Sequence, residues 1–178
     1  MQFLECIVNL LCQFDSAGLG LFADYADELH TNAALDDLIP RADVIALALP
    51  ETADTRGILS AERIAMMKQG SYVLNVGRGT AIDQDALLAA VREGKIAGAG
   101  LDVTDPEPLP ADHPLWKEEN IFITPHVSGH FHLQATHDNI VDIAIRNIRA
   151  LLDGGEFVSR VDAKKGLLCF SEYFCVGY

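Results

Sequence analysis

The segment YVLNVGRGTAIDQDALLAAVREGKIAGAGLDV, residues 72–103, gives the clearest indication of the fold. Its two ends, Tyr72–Val76 and Ile96–Val103, are apolar runs typical of strands that are buried on both faces of a parallel sheet. Between them, Asp83 can cap a helix, and Gly94 marks the end of that helix. A strand, a helix and a second strand at this spacing predict a parallel pair of strands with the helix on one face of the sheet.

The same alternation continues on both sides of this unit. Ala42–Leu49 and Ile121–Thr124 predict two further strands, and a helix capped by Ser60 is predicted to reach Lys68. A longer helix is predicted over Leu133–Leu152. Its apolar residues recur at helical spacing and are expected to form its buried face; they are Val141, Ile145, Ile148 and Leu152. We therefore predict an α/β fold with an incomplete doubly wound parallel sheet and a long C-terminal helix.

Composition restricts the class of protein. The chain has 178 residues, of which 49% are hydrophobic and 22% are charged, as in an ordinary globular domain. The net charge of −13 argues against binding to nucleic acid or to an anionic membrane. No apolar run is long enough to span a bilayer, and the apolar start Phe3–Phe14 lacks the basic residues of a signal peptide. We expect a cytoplasmic protein with four reduced cysteines, although a disulfide between the chain ends is an alternative.

Polar side chains follow the predicted strands at the edge of the sheet where open parallel sheets bind ligands. Arg78 lies between Gly77 and Gly79, and its guanidinium can bind a carboxylate through two parallel hydrogen bonds. His126 can hold and deliver a proton near neutral pH. Glu107, on a loop stiffened by two prolines, could fix the imidazole ring and favour its protonated form. We predict that Arg78, Glu107 and His126 converge, although each could instead be an ordinary loop residue.

Four histidines, which could suggest a metal centre, fall close together: His126, His130, His132 and His137. No set of cysteines or carboxylates at metal-ligand spacing completes a coordination shell around them. We predict no metal site and interpret the three later histidines as exposed residues near the start of the long helix.

Three segments together resemble a known family. LNVGRGTAID (Leu74–Asp83), GAGLDVTDPEPLP (Gly98–Pro110) and ITPHVSG (Ile123–Gly129), in this order and spacing, resemble the D-isomer-specific 2-hydroxyacid dehydrogenases over about residues 25–166. The resemblance implies the C-terminal part of a Rossmann-like NAD-binding domain. It also implies reversible hydride transfer between NAD(P)H and a 2-keto acid, giving a 2-hydroxy acid, with NAD slightly favoured over NADP.

The resemblance also implies roles for individual residues. Arg78 would bind the substrate carboxylate and carbonyl, and His126, paired with Glu107, would be the acid and base. Leu49, Pro50 and Thr55 match positions that line the adenosine side of the cofactor. Val76 and Asp102 match positions near the nicotinamide, and Ser128 and Gly129 follow the catalytic histidine against it. Residues 1–24 are expected to be an atypical N-terminal segment, 25–153 a partial dinucleotide-binding domain and 154–178 a C-terminal tail.

The chain departs from the family near its N-terminus. The resemblance implies a substrate domain, a first strand, a glycine loop and a second strand ahead of the predicted sheet. Gly18–Ala23 (GLGLFA) fits the glycine-rich dinucleotide pattern loosely, but that pattern has meaning only between a strand and a helix. Phe14–Ala17 is not a convincing strand end, and we predict no strand before Ala42. The chain is therefore interpreted as truncated, with an exposed sheet edge and uncovered apolar faces that favour self-association.

Three hypotheses for function follow from these observations. The first is an oxidoreductase that acts on a small 2-keto or 2-hydroxy acid with NAD or NADP. The second is a catalytically inactive, truncated fragment, and the third is a nucleotide-sensing interaction module. We expect neither nucleic acid nor membrane as a partner, and we leave homo-oligomerisation open.

Overall fold

The computed structural model describes residues 9–12, 26–129, 134–158, 160–162 and 167–169. The strands are β1 (Asn9–Cys12), β2 (Glu28–Thr31), β3 (Val44–Leu47), β4 (Ser71–Asn75), β5 (Ile96–Leu101), β6 (Ile121–Ile123), β7 (Arg160–Asp162) and β8 (Leu167–Cys169). The α-helices are α1 (Leu35–Leu38), α2 (Ala61–Met66), α3 (Gln84–Arg92) and α4 (Gln134–Asp153). Among the described residues, none of the helices has the length and hydrophobicity needed to span a membrane.

Strands β3 to β6 form one parallel sheet, in which they lie side by side in chain order. This arrangement, together with α4, confirms the predicted α/β class with an incomplete doubly wound sheet. Helices α2 and α3 contact each other, and they bury Ile64 and Leu87 against strand residues such as Val73 and Leu101. The core therefore lies between these two helices and one face of the sheet.

Local capping defines both of these helices. The Ser60 hydroxyl accepts a hydrogen bond from the Arg63 amide at the start of α2, and the Asp83 carboxylate accepts one from the Ala86 amide at 3.0 Å at the start of α3. Gly94, with φ of 71°, follows α3 as predicted, because a left-handed residue commonly ends a helix.

The second face of the sheet is exposed in the part of the chain that the structure describes. Side chains of β4 alternate between buried and exposed positions, and Tyr72 and Leu74 are among the exposed ones. Phe122 on β6 is 75% exposed. The prediction that these strands are buried on both faces is therefore wrong, because no helix among the described residues covers the second face. The expectation of uncovered apolar faces is confirmed.

Helix α4 occupies nearly the predicted range, but its burial was predicted wrongly. It contains no buried residue, and the exposed fractions of Val141, Ile145, Ile148 and Leu152 are 43%, 42%, 58% and 77%. Helical spacing of apolar residues identifies an amphipathic helix, but it does not show whether another element packs against the apolar side. The predicted buried face is an exposed stripe.

The prediction that no strand precedes Ala42 is also wrong. Strand β2 pairs in parallel with β1, with Asn9 opposite Glu28 and Cys12 opposite Thr31. Sequence patterns missed β2 because its four residues, ELHT, contain no apolar run and its partner lies far along the chain. Gly18–Ala23 lies outside the described residues, so the structure does not test its loose match to the dinucleotide pattern. The division into segments stays a prediction.

Candidate active site

The carboxyl ends of β3 to β6 meet at one edge of the sheet, and the backbone hydrogen bonds extend to that edge. The Val76 amide donates to the Leu47 carbonyl at 2.9 Å, and the Asp102 amide donates to the Asn75 carbonyl at 2.9 Å. The Thr124 amide donates likewise to Leu101 at 3.0 Å. The loops that follow these strands are therefore neighbours at the edge where open parallel sheets bind ligands.

His126 and Glu107 form a pair at this edge, as predicted. The Nδ1 atom of His126 lies 2.7 Å from Oε1 of Glu107, and both side chains are about two-fifths exposed, at 43% and 40%. The contact with the carboxylate occupies Nδ1, so Nε2 is the nitrogen that remains for proton exchange with a ligand. The backbone of His126 has a φ of 53°, unusual for a residue with a side chain, and its amide donates to the Asp102 carbonyl at 2.9 Å.

Asp102 fixes the turn that carries His126. Its carboxylate is 5% exposed and accepts hydrogen bonds from the Thr124 hydroxyl, from the Val127 amide at 3.0 Å and from the Ser128 amide at 2.9 Å. Burial alone would raise the pKa of Asp102. The hydrogen bonds from Ser128, Thr124 and Val127 outweigh it and hold the pKa well below its usual range. A buried carboxylate therefore holds both sides of the turn that carries His126.

Asn75 holds the loop that carries Arg78, a role that the sequence analysis did not assign. Asn75 is 1% exposed; its amide Nδ2–H donates to the Arg78 carbonyl at 2.9 Å, and its Oδ1 accepts from the Gly77 amide at 3.1 Å. The Arg78 guanidinium donates to the Gly77 carbonyl at 2.8 Å. In the described part of the chain no carboxylate forms an ion pair with Arg78, so its charge is available to a ligand.

The glycines around Arg78 let neighbouring loops approach closely. A Cβ atom at Gly77 would lie 2.5 Å from the Leu49 carbonyl oxygen, and one at Gly79 would lie 2.0 Å from the Thr104 carbonyl carbon. Gln84, at the start of α3, links the end of the Arg78 loop to the loop that carries Glu107. Its side-chain NH₂ group donates to the Asp105 carbonyl, and its side-chain oxygen accepts from the Asp105 amide. The loops of Arg78 and Glu107 are thus packed backbone to backbone.

The residues predicted to line the cofactor are distributed around this edge. Val76 is 48% exposed beside Gly77, and Leu49 and Pro50 are partly exposed on the neighbouring loop. Together they form a partly exposed apolar surface at this edge of the sheet. Thr55 is instead buried, with its hydroxyl donating to the Pro50 carbonyl at 2.6 Å, so it can act only through the shape of its loop.

The remaining predicted cofactor residues stand on the turn after β6. Ser128 and Gly129 are exposed and follow His126 directly, whereas Asp102 is buried beneath them. The assignment of each of these residues to the cofactor stays a prediction. Residues 26–129 and 134–158 contain no group of three or more His, Cys, Asp or Glu side chains that could hold a metal ion; His130 and His132 lie outside the described residues.

Comparisons with known proteins identify a family that matches this chain. The model of the D-isomer specific 2-hydroxyacid dehydrogenase NAD binding domain matches residues 20–128. A glyoxylate reductase of Thermofilum pendens is 38% identical over 120 residues, which cover 67% of this chain and 35% of that protein. A hydroxypyruvate reductase of Blautia hydrogenotrophica is 42% identical over 120 residues, covering 67% and 37%. The chain thus spans about a third of these curated relatives.

A solved structure shows the same fold over a longer region. It is a D-isomer specific 2-hydroxyacid dehydrogenase from Xanthobacter autotrophicus Py2 in complex with NADPH and MES. The two are 31% identical with a TM-score of 0.73, and the match covers 90% of this chain and 72% of that one.

Proposed function

Because this chain belongs to the D-isomer specific 2-hydroxyacid dehydrogenase family, we propose that it carries the catalytic edge for hydride transfer between NAD(P)H and a small 2-keto acid. The observation that carries the proposal is the His126–Glu107 pair, at 2.7 Å, on the sheet edge that also presents Arg78. An acid and base and a carboxylate-binding cation are what reduction of a keto acid requires of the protein.

Arg78 binds and orients the substrate. Its planar guanidinium suits the substrate carboxylate, and the adjacent carbonyl oxygen can lie against the same donors. Asn75 holds the backbone on both sides of this arginine, so the cation stays in place when the substrate is absent. Two polar functions of a 2-keto acid are therefore held before reaction, which lowers the entropic cost of reaching the reactive arrangement.

His126 handles the proton. With Nδ1 directed at the Glu107 carboxylate, the protonated ring delivers its proton from Nε2 to the carbonyl oxygen during reduction and recovers one during oxidation. Asp102 keeps the turn of His126 fixed but does not touch the reacting atoms; it is a positioning residue.

NAD or NADP is the proposed cofactor, and it supplies the hydride when bound. Val76 would lie near the nicotinamide, with Ser128 and Gly129 against it, and Leu49 and Pro50 would line the adenosine side. The solved relative with NADPH bound supports a nicotinamide cofactor. The names of the relatives, glyoxylate reductase and hydroxypyruvate reductase, support a keto acid of two or three carbons as substrate.

The remaining proposals concern partners and location. The acidic net charge of −13 supports a protein that binds no nucleic acid. A nicotinamide-dependent reaction and cysteines expected to be reduced support a cytoplasmic location. The bare apolar surfaces support self-association.

The test is NADH oxidation by the purified chain with glyoxylate and with hydroxypyruvate, followed by the loss of NADH absorbance. We expect turnover that falls at least about a hundredfold in His126→Ala, the usual contribution of a general acid, with little change in NADH binding. His137→Ala, which removes an exposed histidine of α4, is the matched control and should leave turnover unchanged. Near-normal turnover in His126→Ala would refute the role of this residue. NADH binding without any turnover would favour the inactive fragment.

A further inference from the structure

The side chain of Gln84 holds one residue of the loop that carries Glu107. Its NH₂ group donates a hydrogen bond to the Asp105 carbonyl, and its side-chain oxygen accepts one from the Asp105 amide at 3.2 Å. Two contacts to the same residue restrict its rotation as well as its distance. Asp105 stands two residues before Glu107, so these contacts act on the backbone from which the Glu107 side chain extends.

Gln84 itself belongs to a firmly packed part of the chain. It is the first residue of α3 and follows the cap Asp83, and Leu87 and Leu88 of the same helix are 0% and 6% exposed. Buried side chains in a close-packed core resist displacement, so the start of this helix has a fixed position. The position of Asp105 is therefore set by a packed helix rather than by the loop alone.

A second side chain holds the next residue of the same loop. The buried Thr104 donates a hydrogen bond from its hydroxyl to the Pro106 carbonyl at 3.1 Å. On the other side of Glu107, Leu109 is buried in the core. The Glu107 side chain itself is 40% exposed, so few neighbours limit its rotamers and its direction depends on this fixed backbone.

The direction of Glu107 decides which nitrogen of the neutral His126 ring carries the hydrogen. Nδ1 of His126 lies 2.7 Å from Oε1 of Glu107. A carboxylate can only accept a hydrogen bond, so Nδ1 is the donor and Nε2 of the neutral ring is left as the acceptor. Without this contact, the neutral ring can carry its hydrogen on either nitrogen. The contact with Glu107 thus selects the tautomer that can take up a proton at Nε2.

We propose that Gln84 is a positioning residue: by holding the Asp105 backbone, it keeps Glu107 against Nδ1 of His126 and so fixes the tautomer of the ring. The inference rests on the proposed function, because the tautomer matters for catalysis only if His126 is the acid and base. Gln84 acts on the ring through Asp105 and Glu107, and its described hydrogen bonds do not involve His126.

The test is a two-bond proton–nitrogen NMR correlation of the histidine rings, which reports the tautomer of each ring, at a pH high enough to make the rings neutral. His126→Ala identifies the signals of His126 by their loss. We expect the wild-type ring to carry its hydrogen on Nδ1. Gln84→Leu nearly keeps the size of the side chain but removes both hydrogen bonds to Asp105, so it should give a mixture of the two tautomers.

A second variant covers the case in which Gln84→Leu does not fold. Thr104→Val removes only the hydrogen bond to the Pro106 carbonyl and should change the tautomer in the same direction, but less. Circular dichroism verifies that each variant is folded before its spectrum is compared with that of the wild type.

Asn147→Leu is the matched control. The Asn147 side chain holds both backbone groups of Val158, at 3.0 and 2.8 Å, on α4 rather than on the Glu107 loop. Its loss removes the same two kinds of hydrogen bond and should leave the tautomer of His126 unchanged. In turnover assays, Gln84→Leu should lower kcat by roughly tenfold and change KM by less than about twofold, because it disturbs the orientation of the acid and base but not the substrate-binding Arg78.

Three results would overturn the proposal. They are a wild-type His126 that carries its hydrogen on Nε2, an unchanged tautomer in both Gln84→Leu and Thr104→Val, and an equal change in Asn147→Leu. The tautomer is measured without cofactor or substrate. A chain without turnover would therefore count against the proposed reaction, whereas the tautomer still decides whether Gln84 positions Glu107.

Discussion

Replacing Asp102 with asparagine keeps the size of the side chain but removes the charge that holds the turn carrying His126. The carboxylate accepts hydrogen bonds from Thr124 and Val127 through one oxygen and from Ser128 through the other. An asparagine can keep the first oxygen in place, but its NH₂ group then faces the Ser128 amide. Two donors would point at each other, and the Ser128 N–H would lose its partner.

The expected loss of stability follows from these contacts. Hydrogen bonds to a charged group contribute about 1.5–3 kcal/mol, and a donor left unpaired costs about 1–3 kcal/mol. Because Asp102 is only 5% exposed, water can do little to replace the lost hydrogen bond to the Ser128 amide. We expect Asp102→Asn to lower the free energy of unfolding by about 2–4 kcal/mol near neutral pH, a large part of the total stability of a small domain.

The pH dependence has a definite sign. The pKa of Asp102 in the folded chain lies well below its value in the unfolded chain, which is about 3.9. The carboxylate therefore contributes its full stability above that pH and loses it as the pH falls toward the folded pKa. The difference in stability between the wild type and Asp102→Asn should be largest near neutral pH and should shrink below about pH 4.

Urea denaturation at several pH values measures this difference directly. Asp105→Asn is the matched control, because Asp105 is exposed and only its backbone takes part in the hydrogen bonds described for it; its effect should stay within about 0.5 kcal/mol. Equal losses of unfolding free energy in the two variants would contradict the role of the Asp102 charge. So would a difference between the wild type and Asp102→Asn that stays the same in acid.

Further predictions test the packing of the site and of α3. Gly79→Ala should lower the unfolding midpoint, because its new methyl group would lie 2.0 Å from the Thr104 backbone, whereas Gly129→Ala meets open space and should not. Equal midpoints in urea would contradict the close approach of the two loops. Asp83→Ala should lower the free energy of unfolding by about 1 kcal/mol in the same assay, because it removes the helix cap. Asp83→Asn should retain most of the stability that the cap contributes. Equal losses in both Asp83 variants would show that the cap contributes little.

Local sequence patterns predict the order of strands and helices from Val44 to Ile123. Each strand is an apolar run, and the helices have N-caps such as Ser60 and Asp83. Periodicity cannot reveal whether a second layer is present, so the bare positions Tyr72 and Leu74 on β4 were predicted as buried. The exposed stripe of α4 was missed for the same reason.

The residues of the candidate site could be predicted from the sequence, but the contacts that hold them could not. Arg78, Glu107 and His126 were identified because each follows a strand, and parallel strands bring their ends to one edge. The contacts that hold them could not be predicted, because they join residues distant in the chain. The Thr104 backbone packs against Gly79, and the Asp102 carboxylate binds a turn 25 residues later. Such contacts depend on the packed loops rather than on any local pattern.

The most direct test of the central claim is an NADH titration of the purified chain, with and without glyoxylate, followed by Trp116 fluorescence. The Trp116 indole donates to the Pro110 carbonyl on the loop that carries Glu107, so it reports on the proposed site. We predict saturable binding with a Kd below about 1 mM, the weakest affinity that would count as specific, and a further change when glyoxylate is added. A signal that does not saturate up to millimolar NADH would contradict the claim that this sheet edge binds the cofactor.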